Sequence, residues 1–201
     1  MERGKLLVIS GPSGVGKSTA IAGVRQRHPE MFFSVSATTR PKRTGDQNGV
    51  TYWFKNRSEF EEMAAAGAFY EYAEYAGNYY GTPKAPVEEC LAKGVDVIMD
   101  IDVQGALQIQ QRCPDAVLIF LVAPSFSLLE KRLRGRGDTS EADMERRLGK
   151  AKWEYAHAHL YDYIVISDTL QRTVNDIDCI LTAEKLRAAR KMNLLQMEES
   201  L

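Results

Sequence analysis

Short apolar runs alternate with helical patterns along most of the chain, which is typical of parallel strands joined by helices. The apolar runs predict four buried strands, at residues 6–10, 95–100, 117–122 and 164–166. The helical patterns predict helices around residues 17–27, 86–93, 103–112, 126–133, 142–159 and 173–197. We therefore predict an α/β fold with a parallel sheet at its centre.

The stretch from residue 34 to residue 82 interrupts this alternation. It is rich in Ser, Thr, Tyr, Gly and Arg rather than in long apolar runs. Ser58 and Glu61 predict a capping box for one short helix, which Gly67 would end. Small antiparallel strands are expected at residues 50–55 and 69–72, so we interpret the stretch as an insertion after the first strand and helix. A second irregular stretch, residues 134–139, is basic and contains two glycines, as expected of a mobile lid.

The first predicted strand runs directly into a loop with the phosphate-binding spacing G-x-x-x-x-G-K-[ST]. Its glycines let backbone N–H groups converge on an anion, and the following helix directs its positive end to the same point. We expect Lys17 to reach the outer phosphates and the Ser18 hydroxyl to complete a Mg²⁺ shell. The loop predicts binding of a nucleoside triphosphate through Gly11, Pro12, Ser13, Gly14, Val15, Gly16, Lys17, Ser18 and Thr19.

Composition and charge narrow the class of protein. The 201 residues are 44% hydrophobic and 26% charged, and their formal net charge is -1 at pH 7. This balance argues against a protein that binds nucleic acids or membrane surfaces. The apolar runs are too short to span a bilayer. Cys90, Cys113 and Cys179 are odd in number and far apart, so we expect buried thiols in the reducing cytoplasm. The sequence leaves open whether the chain is a monomer or a homo-oligomer.

The insertion carries candidate groups for the phosphate of a second substrate. Guanidinium groups bind phosphate in a forked geometry, and nearby phenolic hydroxyls suit the same ligand. From the residues alone, an exposed basic loop beside a small aromatic core explains these side chains equally well. The candidates are Arg40, Arg43, Tyr52, Tyr79 and Tyr80.

Several segments, taken with the phosphate loop, resemble the guanylate kinase family from residue 6 to about residue 170. They are Phe33-Ser34-Val35-Ser36-Ala37-Thr38-Thr39-Arg40-Pro41, Gly77-Asn78-Tyr79-Tyr80-Gly81-Thr82, Asp100-Ile101-Asp102-Val103-Gln104-Gly105 and Arg132-Leu133-Arg134-Gly135-Arg136-Gly137. The resemblance implies a five-stranded parallel sheet flanked by helices, an inserted mixed α+β domain for the nucleoside monophosphate, and a short lid. The implied units are residues 1–33, 83–133 and 149–201 for the core, 34–82 for the insertion and 134–148 for the lid.

The resemblance also implies the reaction, which is direct in-line transfer of the γ-phosphoryl group of ATP to GMP or dGMP, with Mg²⁺. It implies that the GMP phosphate binds Arg40, Arg43, Tyr52 and Tyr80, and that guanine binds Ser36, Glu71 and Thr82. Glu71 suits this role because guanine presents two adjacent donors, the ring N–H and the exocyclic amine, to one carboxylate. Adenine lacks that pair and would leave a buried carboxylate without a partner.

Two aspartates follow the predicted strand at residues 95–100 and resemble the acidic pair that the family places near Mg²⁺ and GMP. Asp100 ends the strand, where open parallel sheets bind their ligands, and we expect it near the metal with Ser18. Asp102 is expected near the GMP ribose or guanine, or alternatively as the cap of the next helix. Which aspartate lies nearer the metal stays open.

Arginines around the predicted lid supply positive charge. By resemblance, Arg136 and Arg147 close over the triphosphate and the transferring group, with Arg132 beside them on the ATP side. Arg134 and Arg146 are expected to face solvent. The expected catalytic set is Lys17, Arg40, Arg136 and Arg147.

One departure from the family and three alternative functions remain. Where the family has Asn-Asp-Asp, this chain has Ser167-Asp168-Thr169, which would loosen the preference for the adenine base of the donor. A non-catalytic module that resembles guanylate kinases would lack a working phosphate loop, whereas this chain has one. A GTP-hydrolysing switch would carry Asn-Lys-x-Asp, which this chain lacks. A related kinase with another small phosphorylated acceptor is disfavoured by Glu71, Tyr80 and Thr82.

Overall fold

The computed structural model describes residues 2–75, 77–135 and 140–188. In chain order, the strands and helices are β1 (Leu6–Ser10), α1 (Lys17–Arg27), β2 (Phe32–Phe33), β3 (Ala37–Thr38), β4 (Trp53–Phe54), α2 (Arg57–Ala65), β5 (Phe69–Tyr75), β6 (Asn78–Pro83), α3 (Lys84–Ala92), β7 (Val97–Asp100), α4 (Val103–Arg112), β8 (Val117–Val122), α5 (Phe126–Arg134), α6 (Glu141–Ala156), β9 (Tyr163–Ile166) and α7 (Leu170–Lys185). A short 3₁₀ helix (Ala158–Leu160) follows α6.

The central layer is a five-stranded sheet of order β2-β7-β1-β8-β9 in which every neighbouring pair is parallel. Side chains alternate between its faces, so Leu7 and Ile9 join one core cluster while Leu6 and Val8 join the other. Helices α1, α5, α6 and α7 contribute to the first cluster, and α3 and α4 to the second. The predicted parallel α/β fold flanked by helices is confirmed.

A second, smaller sheet of order β4-β3-β6-β5 lies between β2 and α3 in the chain. Its core is aromatic, with the rings of Phe60 and Phe69 stacked at 4.4 Å and Tyr79 stacked on Phe60 at 5.3 Å. β5 and β6 are antiparallel, but β4 pairs with β3 in parallel. The predicted antiparallel strand at residues 50–55 is therefore wrong, because the long β3–β4 connection allows a parallel return that a hairpin would not.

The first helix of this smaller unit begins two residues before the predicted position. Asn56 is its N-cap, and its side chain accepts from the Glu59 backbone N–H while Glu59 accepts from that of Asn56. The predicted box of Ser58 and Glu61 is wrong because Ser58 already lies inside the helix, where its hydroxyl donates to Glu62. A capping residue needs the extended backbone that Asn56 adopts.

Other element ends differ by a few residues. β7 begins at Val97, two residues after the predicted start, and the Asp96 side chain accepts from the backbone N–H of Lys5 at 2.7 Å. α7 begins at Leu170, after the Thr169 cap, and the predicted helical residues from 189 to 197 lie outside the described ranges.

The cysteines and the helix lengths bear on two further expectations, namely that the thiols are buried and that the apolar segments are too short to span a membrane. The thiols are free, but Cys179 is exposed and Cys90 and Cys113 are partly exposed, so the predicted burial is wrong. Cys179 lies on α7 and faces away from the core cluster that Ile177 and Ile180 join. Within the described ranges, no helix is both long and apolar enough to cross a membrane.

The smaller sheet is attached to the core through β5 and α4. The Gln108 side-chain amide donates to the Tyr72 carbonyl at 3.0 Å, and Arg112 donates to the Tyr70 carbonyl at 2.5 Å. These contacts hold Glu71, which lies between the two tyrosines, over the start of α4.

Candidate active site

A cleft of about 820 Å³ is lined by residues from both sheets and from α1 and α6. The core contributes the glycine-rich loop and the end of β7, and the smaller sheet contributes β5 and β6. Predicted site residues on its described lining are Gly11, Ser13, Lys17, Ser18, Ser36, Tyr52, Glu71, Tyr80, Asp100, Asp102 and Arg147. The structure therefore brings together residues from most of the chain length.

The glycine-rich loop between β1 and α1 has the geometry of an anion site. Gly16 precedes α1 with a φ of 109°, and a Cβ on Gly11 would lie 2.5 Å from the Leu121 carbonyl oxygen. The Lys17 ammonium donates to the Gly11 carbonyl at 2.7 Å, which holds it over the loop. Within the described chain, α1 has neither a side-chain cap nor an acidic residue in its first turn. Its positive end is thereby left to an anion.

Two oxygen donors meet beside this loop. Asp100 ends β7, and its Oδ2 accepts a hydrogen bond of 3.3 Å from the Ser18 hydroxyl. Burial raises the pKa of Asp100, and the nearby Lys17 ammonium and Ser18 hydroxyl offset part of that rise. Among the described residues, no group of three or more His, Cys, Asp and Glu side chains forms a metal site. A hydroxyl and a carboxylate are a donor set suited to Mg²⁺, which keeps several waters and binds substrate phosphates.

Glu71 is a buried carboxylate on the smaller-sheet side of the cleft, with 6% of its surface exposed. Its Oε1 accepts from the Thr82 hydroxyl at 2.6 Å, across the β5–β6 pair. Its Oε2 faces Gly105, where a Cβ would lie only 2.6 Å away. Burial is the main reason that the pKa of Glu71 rises to about 7, with Asp102 adding to the rise. Thr82 is itself buried and acts on the cleft through Glu71.

Asp102 has the capping role that the sequence left as an alternative. Its Oδ1 accepts from the Gly105 backbone N–H at 3.1 Å, which caps α4. Its Oδ2 accepts from the Lys150 ammonium at 3.2 Å, and the residue also lines the cleft. The cap and a site role are therefore compatible in one side chain.

The side chains predicted to bind phosphate differ in their surroundings. The Tyr52 and Tyr80 rings meet edge to face at 5.9 Å, and the Arg40 guanidinium lies 5.5 Å from the Tyr52 ring centre. Arg40 pairs with Asp46 at 2.9 Å, and burial raises the pKa of Tyr52. Arg43 is exposed, although its backbone N–H also donates to Asp46. Tyr79 packs in the small aromatic core, and its role as a phosphate ligand stays a prediction.

The arginines near the predicted lid have different surroundings. Arg147 lines the cleft, and Arg136 lies outside the described residues. Arg132 donates to the carbonyls of Val15 and Ser167, at 3.1 and 3.2 Å, which joins the loop to the chain after β9. Arg132 is therefore bonded to the loop backbone in the absence of a ligand.

The two arginines expected to face solvent are both exposed. Arg134 pairs with Glu130 and Glu141. Arg146 pairs with Asp143 at 2.7 Å, yet it also lines the cleft. Arg146 is thus at the rim of the cleft, which the sequence did not indicate.

Ser167, at the position where the sequence departs from the family pattern, is buried against the loop. Only 8% of its surface is exposed, and a Cβ on Gly16 would lie 3.0 Å from its hydroxyl oxygen.

Sequence reasoning missed several cleft residues, of which Lys150, Glu154 and Tyr75 are closest to the predicted site. Arg147, Lys150 and Glu154 are three and four residues apart along α6, so they share one helix face. That spacing was a usable signal, because one recognised member of a helix face indicates the others. Glu154 is buried, which raises its pKa to about 7.

Comparisons with known proteins agree with this arrangement. The chain matches the family model described as guanylate kinase over residues 3–184. It is 48% identical over 190 residues to the guanylate kinase of Carboxydothermus hydrogenoformans, which covers 94% of this chain and 93% of the relative. It is 49% identical over 195 residues to that of Thermus thermophilus, covering 97% of this chain and 88% of the relative. The crystal structure of guanylate kinase from Anaplasma phagocytophilum matches with a TM-score of 0.79 and 32% identity, covering 100% of this chain and 96% of that one. The chain belongs to the guanylate kinase family.

Proposed function

We propose that this chain transfers the γ-phosphoryl group of ATP to GMP, and also to dGMP, giving ADP and the nucleoside diphosphate. The observation that carries the proposal is that one cleft joins a phosphate-binding loop to a buried carboxylate on the smaller sheet. The loop suits the phosphates of ATP. The carboxylate suits an acceptor substrate whose base presents two adjacent hydrogen-bond donors.

The donor triphosphate binds the loop from Gly11 to Thr19 in this proposal. The backbone N–H groups and the start of α1 bind phosphate oxygens, and Lys17 exchanges its contact with the Gly11 carbonyl for one with the outer phosphates. Arg132 and Arg136 bind ATP, and Arg136 and Arg147 add positive charge at the transferring group.

Ser18 and Asp100 are the residues that would hold Mg²⁺. Their oxygens lie 3.3 Å apart beside the loop, and both are ligand types that this ion prefers. When bound, the ion neutralises charge on the phosphate oxygens of the donor.

Glu71 recognises guanine in this proposal, with Thr82 and Ser36 beside it. One carboxylate accepts from both the ring N–H and the exocyclic amine, while the Thr82 hydroxyl holds its orientation. The GMP phosphate binds Arg40, Arg43, Tyr52 and Tyr80, and Asp100 and Asp102 lie on the nucleoside side.

The chemistry needs no general base, because a phosphate oxygen of GMP is already a competent nucleophile. The chain contributes alignment of the two phosphates and positive charge around the migrating group. Lys17, Arg40, Arg136 and Arg147 supply that charge. In this proposal the insertion and the lid close over the core and exclude water from the cleft. The insertion is residues 34–82, the lid is residues 134–148, and the core is residues 1–33, 83–133 and 149–201.

An assay of the purified protein with ATP, Mg²⁺ and separate nucleoside monophosphates tests the reaction. We expect ADP release with GMP and dGMP, and far less with AMP, IMP or UMP. Absence of turnover with GMP, or a preference for AMP or UMP, would overturn the proposal.

The substitution Glu71→Gln tests the guanine-binding role. An amide offers one acceptor and places its NH₂ against a guanine donor, so we expect the KM for GMP to rise roughly a hundredfold. The KM for ATP should change less than about threefold. Glu74→Gln is the matched control, because Glu74 is exposed on the same strand. Equal losses for GMP and ATP would contradict the role.

A further inference from the structure

Lys150 lies at a junction of three parts of the molecule. It projects from α6, and its ammonium lies 3.2 Å from Asp102 Oδ2 at the start of α4. It also lies 4.6 Å from the ring centre of Tyr75 at the end of β5, and 4.0 Å from Glu154 Oε1. One cation thus contacts the core, the helix that carries Arg147 and the smaller sheet.

The contact with Lys150 completes the restraint on Asp102. One oxygen of that carboxylate is held by the Gly105 backbone N–H, and the other is held by Lys150. A carboxylate with both oxygens engaged has one orientation, whereas a helix cap alone leaves its second oxygen to rotate or bind solvent.

The position of this pair relates it to GMP rather than to ATP. Gly105 faces Glu71 Oε2, and Asp102 raises the pKa of Glu71, so the pair adjoins the proposed guanine pocket. Lys150 also holds Tyr75, which belongs to the same strand as Glu71. The donor loop is held by other contacts, through Arg132 and Lys17.

We propose that Lys150 is a positioning residue for GMP, which orients Asp102 and holds the end of β5 against α6. It acts through Asp102 and Tyr75 and not by direct contact with the donor triphosphate. This inference rests on the proposed function, because it assigns Asp102 to the acceptor side of the cleft.

The test compares Lys150→Met with Lys152→Met in steady-state kinetics. Lys152 is exposed on the same helix, with its ammonium 5.9 Å from the Phe126 ring centre, so it controls for loss of a lysine from α6. For Lys150→Met we expect the KM for GMP to rise about fivefold, the effect of an ion pair whose side chains are 34% and 36% exposed, while the KM for ATP changes less than twofold. Lys150→Arg should recover most of the loss, because arginine keeps both the ion pair and the aromatic contact.

A double-mutant cycle with Asp102→Asn tests whether Lys150 acts through Asp102. In the Asp102→Asn background, Lys150→Met should add less than about twofold to the KM for GMP. Full additivity, an equal rise in the KM for ATP, or wild-type kinetics for Lys150→Met would each overturn the inference. Those results leave the proposed function standing as long as the wild-type protein phosphorylates GMP, whereas an inactive wild type would overturn the proposed function itself.

Discussion

At the residue scale, the surroundings of Glu71 decide how its carboxylate lies. Thr82 donates to one oxygen, and Gly105 leaves the room that the other oxygen needs. Gly105 lies in the first turn of α4, where alanine would ordinarily stabilise a helix relative to glycine. Glycine at this position therefore serves the pocket and not the helix.

Gly105→Ala should displace the Glu71 carboxylate, because the added Cβ would lie 2.6 Å from Oε2. We expect the KM for GMP to rise about tenfold, with the KM for ATP nearly unchanged, as measured by steady-state kinetics. Gly149→Ala on α6 is the control, since its Cβ would meet no described atom within 4 Å. A KM for GMP within twofold of wild type would show that the pocket tolerates the methyl group.

The protonation state of Glu71 should respond to GMP. In the free protein, burial raises its pKa to about 7, but two guanine donors favour the charged carboxylate. We expect the pKa to fall when GMP is bound. The measurement is a pH titration of the ¹³C-labelled glutamate carboxyl resonances with and without GMP, with Glu71→Gln to assign the signal. An unchanged pKa would argue against contact between Glu71 and guanine.

At the element scale, the helix N-termini differ in a way that matches their roles. α2, α4, α5, α6 and α7 each have a side-chain cap, whereas among the described residues α1, which follows Gly16, and α3, which follows Pro83, have none. A side-chain cap satisfies backbone N–H groups at the start of a helix, as it does in those five helices. α1 instead presents them to the cleft.

The cap of α2 provides a direct comparison between two neighbouring residues. Asn56→Ala removes the side-chain oxygen that accepts from the Glu59 backbone N–H, and it should lower the free energy of unfolding by about 1 kcal/mol. Ser58→Ala removes only an exposed bond to Glu62 and should change it by less than about 0.5 kcal/mol. Urea unfolding of both variants measures the difference. A larger loss for Ser58→Ala would indicate that the helix begins where the sequence pattern placed it.

At the scale of the whole molecule, two buried carboxyl groups set part of the pH dependence of stability. Glu71 and Glu154 have an ordinary pKa near 4.5, and burial raises each to about 7 in the folded protein. The folded state therefore binds more protons than the unfolded state between these two values. The stability that this supplies is fully present below about pH 4.5 and is lost as the pH rises through 7.

The double variant Glu71→Gln/Glu154→Gln should remove this dependence in the ligand-free protein. A pKa difference of this size corresponds to about 3 kcal/mol for each group. Relative to wild type, the variant should gain several kcal/mol of unfolding free energy between pH 4.5 and 7.5, measured by urea unfolding. A stability difference that stays constant with pH would show that neither carboxyl titrates in this range.

The donor site could be predicted from the sequence because its determinants are contiguous. Gly11 to Thr19 contain the glycines, the lysine and the hydroxyl within one turn between strand and helix, and the preceding apolar run marks the strand. Four strands of the parallel sheet could be predicted for the same reason, since β1, β7, β8 and β9 each show an apolar run, whereas the two-residue β2 was not predicted. Short-range patterns therefore determined the phosphate loop, the fold class and, with the resemblance, the family.

Only the tertiary structure decided which distant residues meet in the acceptor pocket. Glu71 contacts Gly105 because β5 packs on α4. Asp102, which follows the end of β7, contacts Lys150 because α6 passes close to that end. Burial depends on these packing contacts, so the raised pKa of Glu71 and Glu154 had no local signal either. The sequence by itself determined the chemistry of the phosphate loop, and the packing of distant elements determined the shape and charge of the cleft that faces it.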